Sequence, residues 1–426
     1  MTSFLGLVLR GIRWRWVSSV AVALVAAVAM VGAVLGPLYA SSAADSLVRE
    51  GMSQAAPVST GVLVRAQRAG QTQFTPQQLL DAVSDRAADP SLDPWYRPGT
   101  LALSVVNGAP RVDGDPIGVA QIGWHRGQCD AVELTSGVCP ARMGEAMISA
   151  RLAEQRGLAV GDSLRLGISG DAATDEVEIV GTYDENTADP AVWGLISPAQ
   201  FQPSKSPDGP DHLDEIVVDK ETFLGGSGDV AATSFRALDA TTVHATGLPQ
   251  LRNAVESAVA VTPGTIGTGP QSVATSGLPA FLEALDPDLA DVASAAFAVT
   301  AALVLLAWFA LFLVVSATSE ERSGEVALAK LRGMGARSTF AFGMAEPLLL
   351  LLVAVPVGLA VAYGINAAIT GAAMAPGTQT SITSSALIAL GVGFLGGVVA
   401  ATLASRRILT APVIEQLRRT GGRRAR

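Results

Sequence analysis

The sequence predicts a membrane protein with four transmembrane α-helices and a large α+β domain between the first and the second helix. Of its 426 residues, 49% are hydrophobic and only 16% are charged, whereas soluble domains carry about a quarter charged residues. The apolar residues are concentrated in four runs, at 17–39, 291–317, 340–369 and 385–404. Because roughly 20 apolar residues in a helix cross the bilayer core, each run is long enough to be a span.

The first span follows a short basic N-terminus. Residues 1–16 interleave leucine and phenylalanine with Arg10, Arg13 and Arg15, a pattern that predicts an amphipathic helix on the cytoplasmic face of the membrane. The run at 17–39 could alternatively be a cleaved signal peptide. Its apolar stretch is longer than the roughly 7–15 residues of a signal-peptide core, which favours a permanent anchor.

The basic residues predict the orientation of the spans. They precede the first span, recur at 318–339 and crowd the tail at 405–426, whereas the loop at 370–384 carries no charge. Since positive residues remain cytoplasmic, both termini and the 318–339 loop are expected inside and the domain at 40–290 outside the bacterial plasma membrane. Residues 45–291 contain 33 acidic and 15 basic side chains, a net charge of −18. The basic tail is expected to contact anionic lipid rather than nucleic acid.

The domain at 40–290 is predicted to be mixed α+β. Alternating and β-branched residues predict strands, and apolar residues at helical spacing predict helices after Thr75, after Ser149 and from Pro249. Ser149 is a candidate N-cap and Gly157 a candidate stop for the second of these helices. The predicted strands are 61–67, 100–106, 163–168, 175–183 and 214–219, and the predicted helices 75–87, 150–156 and 249–259. Segments 184–212 and 262–279 are rich in proline, glycine and serine and are predicted to be mobile loops.

The only two cysteines, Cys129 and Cys139, lie close together in this domain. On an oxidising side of the membrane such a pair usually forms a disulfide, although two free thiols remain the alternative.

The three C-terminal spans carry a few polar or small residues. Helical spacing from Leu278 predicts that the helix of the second span begins before the membrane. Glu346 lies near the start of the third span, where an ionisable residue is either functional or extends its carboxylate to the interface. In the fourth span Gly393 and Gly397 form a GxxxG pattern, which indicates close helix packing or dimerisation. Between the second and third spans, residues 318–339 read as a short charged helix suited to a soluble partner.

The motifs of common catalytic sites are absent from the sequence. There is no GxxxxGK[ST] phosphate loop, no HExxH and no GxSxG, so the chain is not predicted to be an enzyme or to bind ATP, a metal or another cofactor itself. Four acids, Asp208, Asp211, Asp214 and Glu215, could hold Ca²⁺. They lack the glycine-punctuated spacing of a calcium loop, which favours a solvated loop instead.

The chain resembles the FtsX-like, MacB-like permease subunits of ABC transporters. One basis is the topology, and a second is the segment Glu321 to Gly364, ERSGEVALAKLRGMGARSTFAFGMAEPLLLLLVAVPVGLAVAYG. This segment is similar to the family's ER-x-E-x-A-x-x-[KR]-x-x-G loop, followed by a glutamate at the start of the third span. The turn at Leu158, Gly161 and Asp162 and the closing APVIEQLRR also resemble family patterns.

The resemblance implies a permease without its own ATP site. A separate ATP-binding subunit would hold ATP and Mg²⁺ and move the 318–339 loop, and the helices would transmit that movement to a MacB-like domain outside, which exports or extracts lipophilic or peptide cargo. A second permease copy would complete a homo- or heterodimer, or the chain would be half of a duplicated permease. Residues carried over as coupling to the ATPase are Glu321, Arg322, Glu325, Lys330, Arg332, Gly333, Gly335 and Glu346.

Two other functions fit the same architecture. The same ATP-driven motion could serve a regulator that activates a cell-wall hydrolase or senses antibiotics, with an extracytoplasmic protein as a further partner. An ATP-independent receptor or adhesin is the third reading, but it gives no role to the charged 318–339 loop.

Overall fold

The computed structural model describes residues 16–67, 74–167, 176–193, 197–204, 209–225, 229–260, 270–321 and 335–410. Two compact units are present: residues 1–50 with 285–426, here called the helical unit, and residues 51–284, here called the sheet domain. Within the described residues four helices are long and apolar enough to cross a membrane. The structure confirms the predicted fold class of four long apolar helices with a mixed α/β sheet domain in the chain between the first and second of them.

The four long helices extend beyond the predicted spans. Helix α1 runs over Trp16–Gln54, α8 over Leu278–Glu321, α9 over Ala336–Ala373 and α10 over Ser384–Thr410. Pro37 lies inside α1, Pro287 inside α8, and Pro347 and Pro356 inside α9. The start of α8 at Leu278 confirms the helical spacing that begins there in the sequence.

The described residues of the sheet domain form twelve strands in one mixed sheet. Their order is β12-β1-β11-β2-β5-β10-β7-β9-β8-β3-β4, and β6 pairs with β9 beside this path. The β5–β10 and β7–β9 pairs are parallel and the others are antiparallel. The strands are β1 Val62–Gln67, β2 Ala102–Gly108, β3 Arg111–Val112, β4 Asp115–Pro116, β5 Ala120–His125, β6 Leu134–Gly137, β7 Glu145–Ser149, β8 Ser163–Arg165, β9 Glu176–Tyr183, β10 Ile216–Val218, β11 Ala231–Arg236 and β12 Ser272–Ser276.

Short helices connect the strands and cover the sheet. They are α2 Pro57–Thr60, α3 Pro76–Ala87, α4 Ala150–Arg156, α5 Pro190–Trp193, α6 Lys220–Gly225 and α7 Leu248–Val259, with 3-10 turns at Pro90–Leu92 and Ala245–Gly247. In α3, Thr75 and Gln78 form a reciprocal capping box. Its buried positions Leu79, Leu80 and Val83 recur at helical spacing, so one side of α3 packs on β1 and β11.

Helix α4 confirms the predicted start and stop. The Ser149 hydroxyl accepts a hydrogen bond from the Leu152 amide at 2.9 Å, which is N-capping geometry. Gly157 ends the helix with φ +67, a left-handed conformation that favours glycine. The turn that follows joins the sheet, because Gly161 donates to the carbonyl of Ile179 in β9 at 2.8 Å and Ile179 donates to the carbonyl of Asp162 at 2.9 Å.

Two predictions for this domain were wrong. Segment 262–279 was expected to be a loop, but its residues 272–276 form β12, which pairs antiparallel with β1. Segment 184–212 contains α5, and Gln202 pairs with His212 in an isolated bridge. The strand β12 was missed because it is short and its partner β1 is remote in sequence. The helix α5 and the Gln202–His212 bridge were missed because they are short.

Candidate functional site

The four long helices pack through glycines that bring their backbones close together. In α1, a Cβ at Gly36 would overlap the Thr300 hydroxyl of α8. In α9, a Cβ at Gly358 would overlap Met30 of α1, and in α10 one at Gly396 would overlap the ring of Trp308. Small residues at such positions let helices approach closely enough for van der Waals contact to hold them together in lipid. The apolar core of the helical unit includes Met30, Leu311, Val315, Met344, Leu351 and Ala401.

The predicted GxxxG pair lies in this packing. A Cβ at Gly393 would be 3.0 Å from the Cβ of Ala33 in α1, and the Gly393 carbonyl accepts a hydrogen bond from the Trp308 indole at 3.3 Å. A Cβ at Gly397 would be 3.0 Å from Leu351 of α9. The pattern therefore faces helices of the same chain in this structure.

Glu346 of α9 is buried in the helical unit. Its Oε1 accepts a hydrogen bond from the Ser19 hydroxyl of α1 at 2.6 Å, and the exposed fractions of the two residues are 8% and 4%. The carboxylate is therefore enclosed by helices of the same chain. The hydrogen bond ties α1 to the first part of α9.

Asn366 is a second buried polar residue of α9 and was missed in the sequence. It is fully buried, and its Nδ2 donates to Ser42 Oγ at 2.9 Å and to Thr380 Oγ1 at 3.4 Å. Its Oδ1 is buried without a hydrogen-bond partner among the described residues. A polar residue inside an otherwise apolar run was the signal that could have marked it.

An open groove lies beside α9. It has a volume of about 680 Å³. Apolar side chains form most of its lining, with one tyrosine and one threonine among them. The lining residues are Pro356, Leu359, Ala360, Tyr363, Thr380 and Ile382.

The sheet domain contains a network of buried carboxylates. Asp214 and Glu215 are both fully buried, so the expected solvated acidic loop was wrong for these two residues. Asp214 accepts from the Arg151 guanidinium, from Ser149 Oγ at 2.7 Å and from the amides of Gln200 and Phe201 at 2.8 and 2.9 Å. Asp211 pairs with Arg156 at 2.6 Å, and Asp208 lies outside the described residues.

Glu215 is held by donors from two strands and a helix. Its Oε1 accepts from Gln121 at 3.1 Å and from His125 Nε2 at 2.9 Å, and its Oε2 accepts from the Trp193 indole at 2.6 Å. Its backbone carbonyl accepts from the Tyr183 hydroxyl at 2.6 Å. A Cβ at position 123 would overlap Glu215 Oε1, so Gly123 makes room for this carboxylate. Both oxygens of this buried carboxylate therefore have hydrogen-bond donors.

The buried carboxylates also set the ionisation of their neighbours. Burial raises the pKa of Asp214, but the hydrogen bonds from Arg151, Ser149 and the Phe201 amide outweigh burial and hold the pKa below its ordinary value. Burial, reinforced by the charges of Glu215 and Asp214, raises the pKa of Tyr183 well above its ordinary value. Among the described residues, no group of three or more His, Cys, Asp or Glu side chains is placed to hold a metal ion.

Cys129 and Cys139 are joined in a disulfide with an S–S distance of 2.05 Å. The bridge spans a segment that includes β6, whose residues are exposed. It lies beside the cluster of Met147, Tyr183 and Trp193, against which Cys139 packs.

The part of the chain that contains the three C-terminal helices matches a known protein family. Residues 297–413 match the family described as FtsX-like permease C-terminal. These residues form an FtsX-like permease domain. A solved structure of a domain of a protein described as a permease, from Porphyromonas gingivalis, is 14% identical over 51% of this chain and 89% of that chain, with a TM-score of 0.27. No curated protein matches the sequence.

The FtsX-like permease domain contains all eight predicted coupling residues, and the structure describes three of them. Gly335 is exposed and stands at the N-cap of α9 with φ −64 and ψ 155. Glu321 is the last residue of α8, and Glu346 is buried against Ser19 as described above. Arg322, Glu325, Lys330, Arg332 and Gly333 lie outside the described residues, as do residues 1–15 and 411–426. Their role in coupling to an ATPase therefore stays a prediction.

Proposed function

We propose that the chain is the transmembrane subunit of an ABC transporter. A separate ATP-binding subunit would act on the charged 318–339 loop, and the helices would transmit the movement to the sheet domain. The observation that carries this proposal is the FtsX-like permease domain at 297–413, which includes the whole charged loop. The absence of a phosphate-loop motif from the sequence supports a partner that holds the ATP and Mg²⁺.

The packing of the helical unit supports transmission of movement. Glycine contacts and the Ser19–Glu346 hydrogen bond link α1 to the helices of the FtsX-like permease domain. Interfaces of this kind shift as packed bodies instead of deforming continuously. A displacement of the start of α9 would therefore also displace α1. The apolar groove beside α9 supports a lipophilic cargo. The basic residues before the first span, in the 318–339 loop and in the tail at 405–426 support the placement of the sheet domain outside the cytoplasm.

The test is co-purification of the tagged full chain from its native membranes, followed by mass spectrometry. We expect a P-loop ATPase in about equal amount. The variant Arg322→Glu/Arg332→Glu should reduce the recovered ATPase about tenfold or more, because it reverses two charges of the loop. The matched control Arg111→Glu/Arg142→Glu reverses two exposed arginines of the sheet domain and should leave the recovery unchanged.

The outcomes separate the alternatives. Recovery of no ATPase, even with a non-hydrolysable ATP analogue, would contradict the proposal and favour an ATP-independent receptor. Equal loss in both double variants would contradict the role of the loop. If an ATPase is found, photo-crosslinking from the sheet domain distinguishes a transporter, which captures lipid or peptide, from a regulator, which captures a cell-wall hydrolase.

A further inference from the structure

A polar stripe continues the buried face of α1 past its apolar part. Val34 and Leu38 pack in an apolar cluster with Ala362 of α9 and Ala386 of α10. One turn further along the same face, the sequence changes to Ser42, Asp45, Ser46 and Arg49. Positions 42, 45, 46 and 49 have the i, i+3, i+4, i+7 spacing of one helix face.

The segment between α9 and α10 lies along this stripe and contacts it with its backbone. The amides of Ala375 and Gln379 donate to Ser46 Oγ and to Asp45 Oδ2, both at 2.9 Å. The Pro376 carbonyl accepts from Arg49 Nε at 3.2 Å. These three contacts fall within about one turn of α1, from position 45 to position 49.

The turn in this segment is shaped for the contact. Ala375, Pro376, Gly377 and Thr378 form a β-turn in which the Thr378 amide donates to the Ala375 carbonyl at 3.1 Å, with proline second and a glycine of φ +80 third. This is the pattern of a type II turn, which requires a positive φ at its third residue. A Cβ at Gly377 would also be only 2.6 Å from Arg49 Nη2, so glycine makes room for the guanidinium.

Asn366 closes the end of the stripe nearest the apolar cluster. Its side chain is fully buried and donates to Ser42 on α1 and to Thr380 in the connecting segment. Ser42 is fully buried and Asp45 is only 4% exposed, so two of the four stripe positions are withdrawn from solvent. Buried hydrogen bonds, and above all those to a carboxylate, are costly to break because the groups left behind lose their partners.

We propose that Ser42, Asp45, Ser46 and Arg49 of α1, with Asn366 and residues 375–380, form a polar clamp that holds α1 and the α9–α10 connection as one body. Hydrogen bonds from four positions of one face of α1 fix where the connecting segment lies along that helix. Residues 42–49 of α1 would consequently follow every movement of α9 and α10. The statement that this holds during nucleotide-driven movement rests on the proposed function, whereas the clamp itself does not.

Cysteine crosslinking in native membranes tests the clamp on the full chain. The chain has only two cysteines, and these are already joined to each other, so introduced cysteines report without background. Ser46→Cys/Ala375→Cys places thiols on two contacting residues. The matched control Ala44→Cys/Ala375→Cys places the first thiol on the opposite side of the helix, about 160° from Ser46. Under mild oxidation we expect the first pair to crosslink at least tenfold faster than the second.

Two further arms decide whether the clamp is a single body. Adding Asp45→Asn or Asn366→Ala to the reporting pair should lower the crosslinking rate several-fold, since each weakens the hydrogen bonding of the clamp while the apolar cluster remains. The rate for the reporting pair should be the same without nucleotide, with ATP and with a non-hydrolysable analogue. Equal rates for the reporting and control pairs would overturn the clamp, and a rate that falls several-fold in one nucleotide state would overturn the single body. Failure of the proposed function would appear separately, as absence of the ATPase with the nucleotide-free crosslink intact.

Discussion

At the scale of single residues, Asp214 is a buried carboxylate whose hydrogen-bond partners come from distant parts of the chain. Its carboxylate receives Arg151, Ser149 and two backbone amides, and its exposed fraction is 0%. The sequence placed it in an acidic loop because the partner arginine lies 63 positions away and no local pattern points to it. Burial of a charge depends on such remote partners, which a single sequence does not reveal.

We predict that Asp214→Asn destabilises the protein at neutral pH and that the effect disappears in acid. The pKa of Asp214 is held below its ordinary value of 3.8 in the folded chain. Its contribution is therefore fully present above that value and is lost as the pH falls through the lower, folded pKa. Loss of the charge-assisted hydrogen bonds should cost about 2 kcal/mol at pH 7.

The measurement is the tryptophan-detected unfolding temperature of the purified full chain in detergent between pH 7 and pH 3. The difference between wild type and Asp214→Asn should narrow as the pH falls below 4. Asp115→Asn changes an exposed acid of β4 and should have little effect at any pH. A difference for Asp214→Asn that stays constant over this range would show that the carboxylate does not titrate as inferred.

At the scale of elements, the local sequence pattern was sufficient to predict the long and periodic strands and helices. The predicted strands at 61–67 and 175–183 and the helices at 75–87 and 150–156 are confirmed within one residue at their ends. These segments carry alternation or a cap in their own sequence. In contrast, β12 has the sequence SVATS and exists because β1, some 210 positions earlier, pairs with it. Pairing over such distances leaves no local signal.

The same scale carries a prediction for the packing of α10. In Gly396→Ala the added methyl group would overlap the Trp308 ring and disturb its hydrogen bond to the Gly393 carbonyl. We expect the unfolding temperature of the full chain in detergent to fall by several degrees, since overpacking of this kind costs about 1–3 kcal/mol. Gly391→Ala is the matched control on the same helix, where nothing lies within 4 Å of the added methyl group. Because alanine is the better helix former, the control should be neutral or slightly stabilising, and a control that destabilises as much as Gly396→Ala would refute the packing argument.

At the scale of the whole molecule, the charge distribution predicts the orientation in the membrane. Basic residues lie before the first span, in the 318–339 loop and in the tail at 405–426, whereas the loop at 370–384 carries no charge. The disulfide belongs to the sheet domain, and such bridges persist on the oxidising side of a membrane. The two observations are independent, since one concerns the charges that flank the spans and the other the chemistry of the compartment.

Thiol labelling of spheroplasts with a membrane-impermeant maleimide tests this orientation. Wild type should remain unlabelled until an impermeant reductant opens the Cys129–Cys139 bridge, and should then be labelled from outside. In a Cys129→Ser/Cys139→Ser background, Ser323→Cys in the charged loop should be labelled only after permeabilisation. The opposite pattern would place the sheet domain in the cytoplasm and the 318–339 loop outside, where an ATP-binding subunit could not contact the loop. Reduction should also lower the unfolding temperature, because a closed loop of this length contributes about 2–3 kcal/mol to stability.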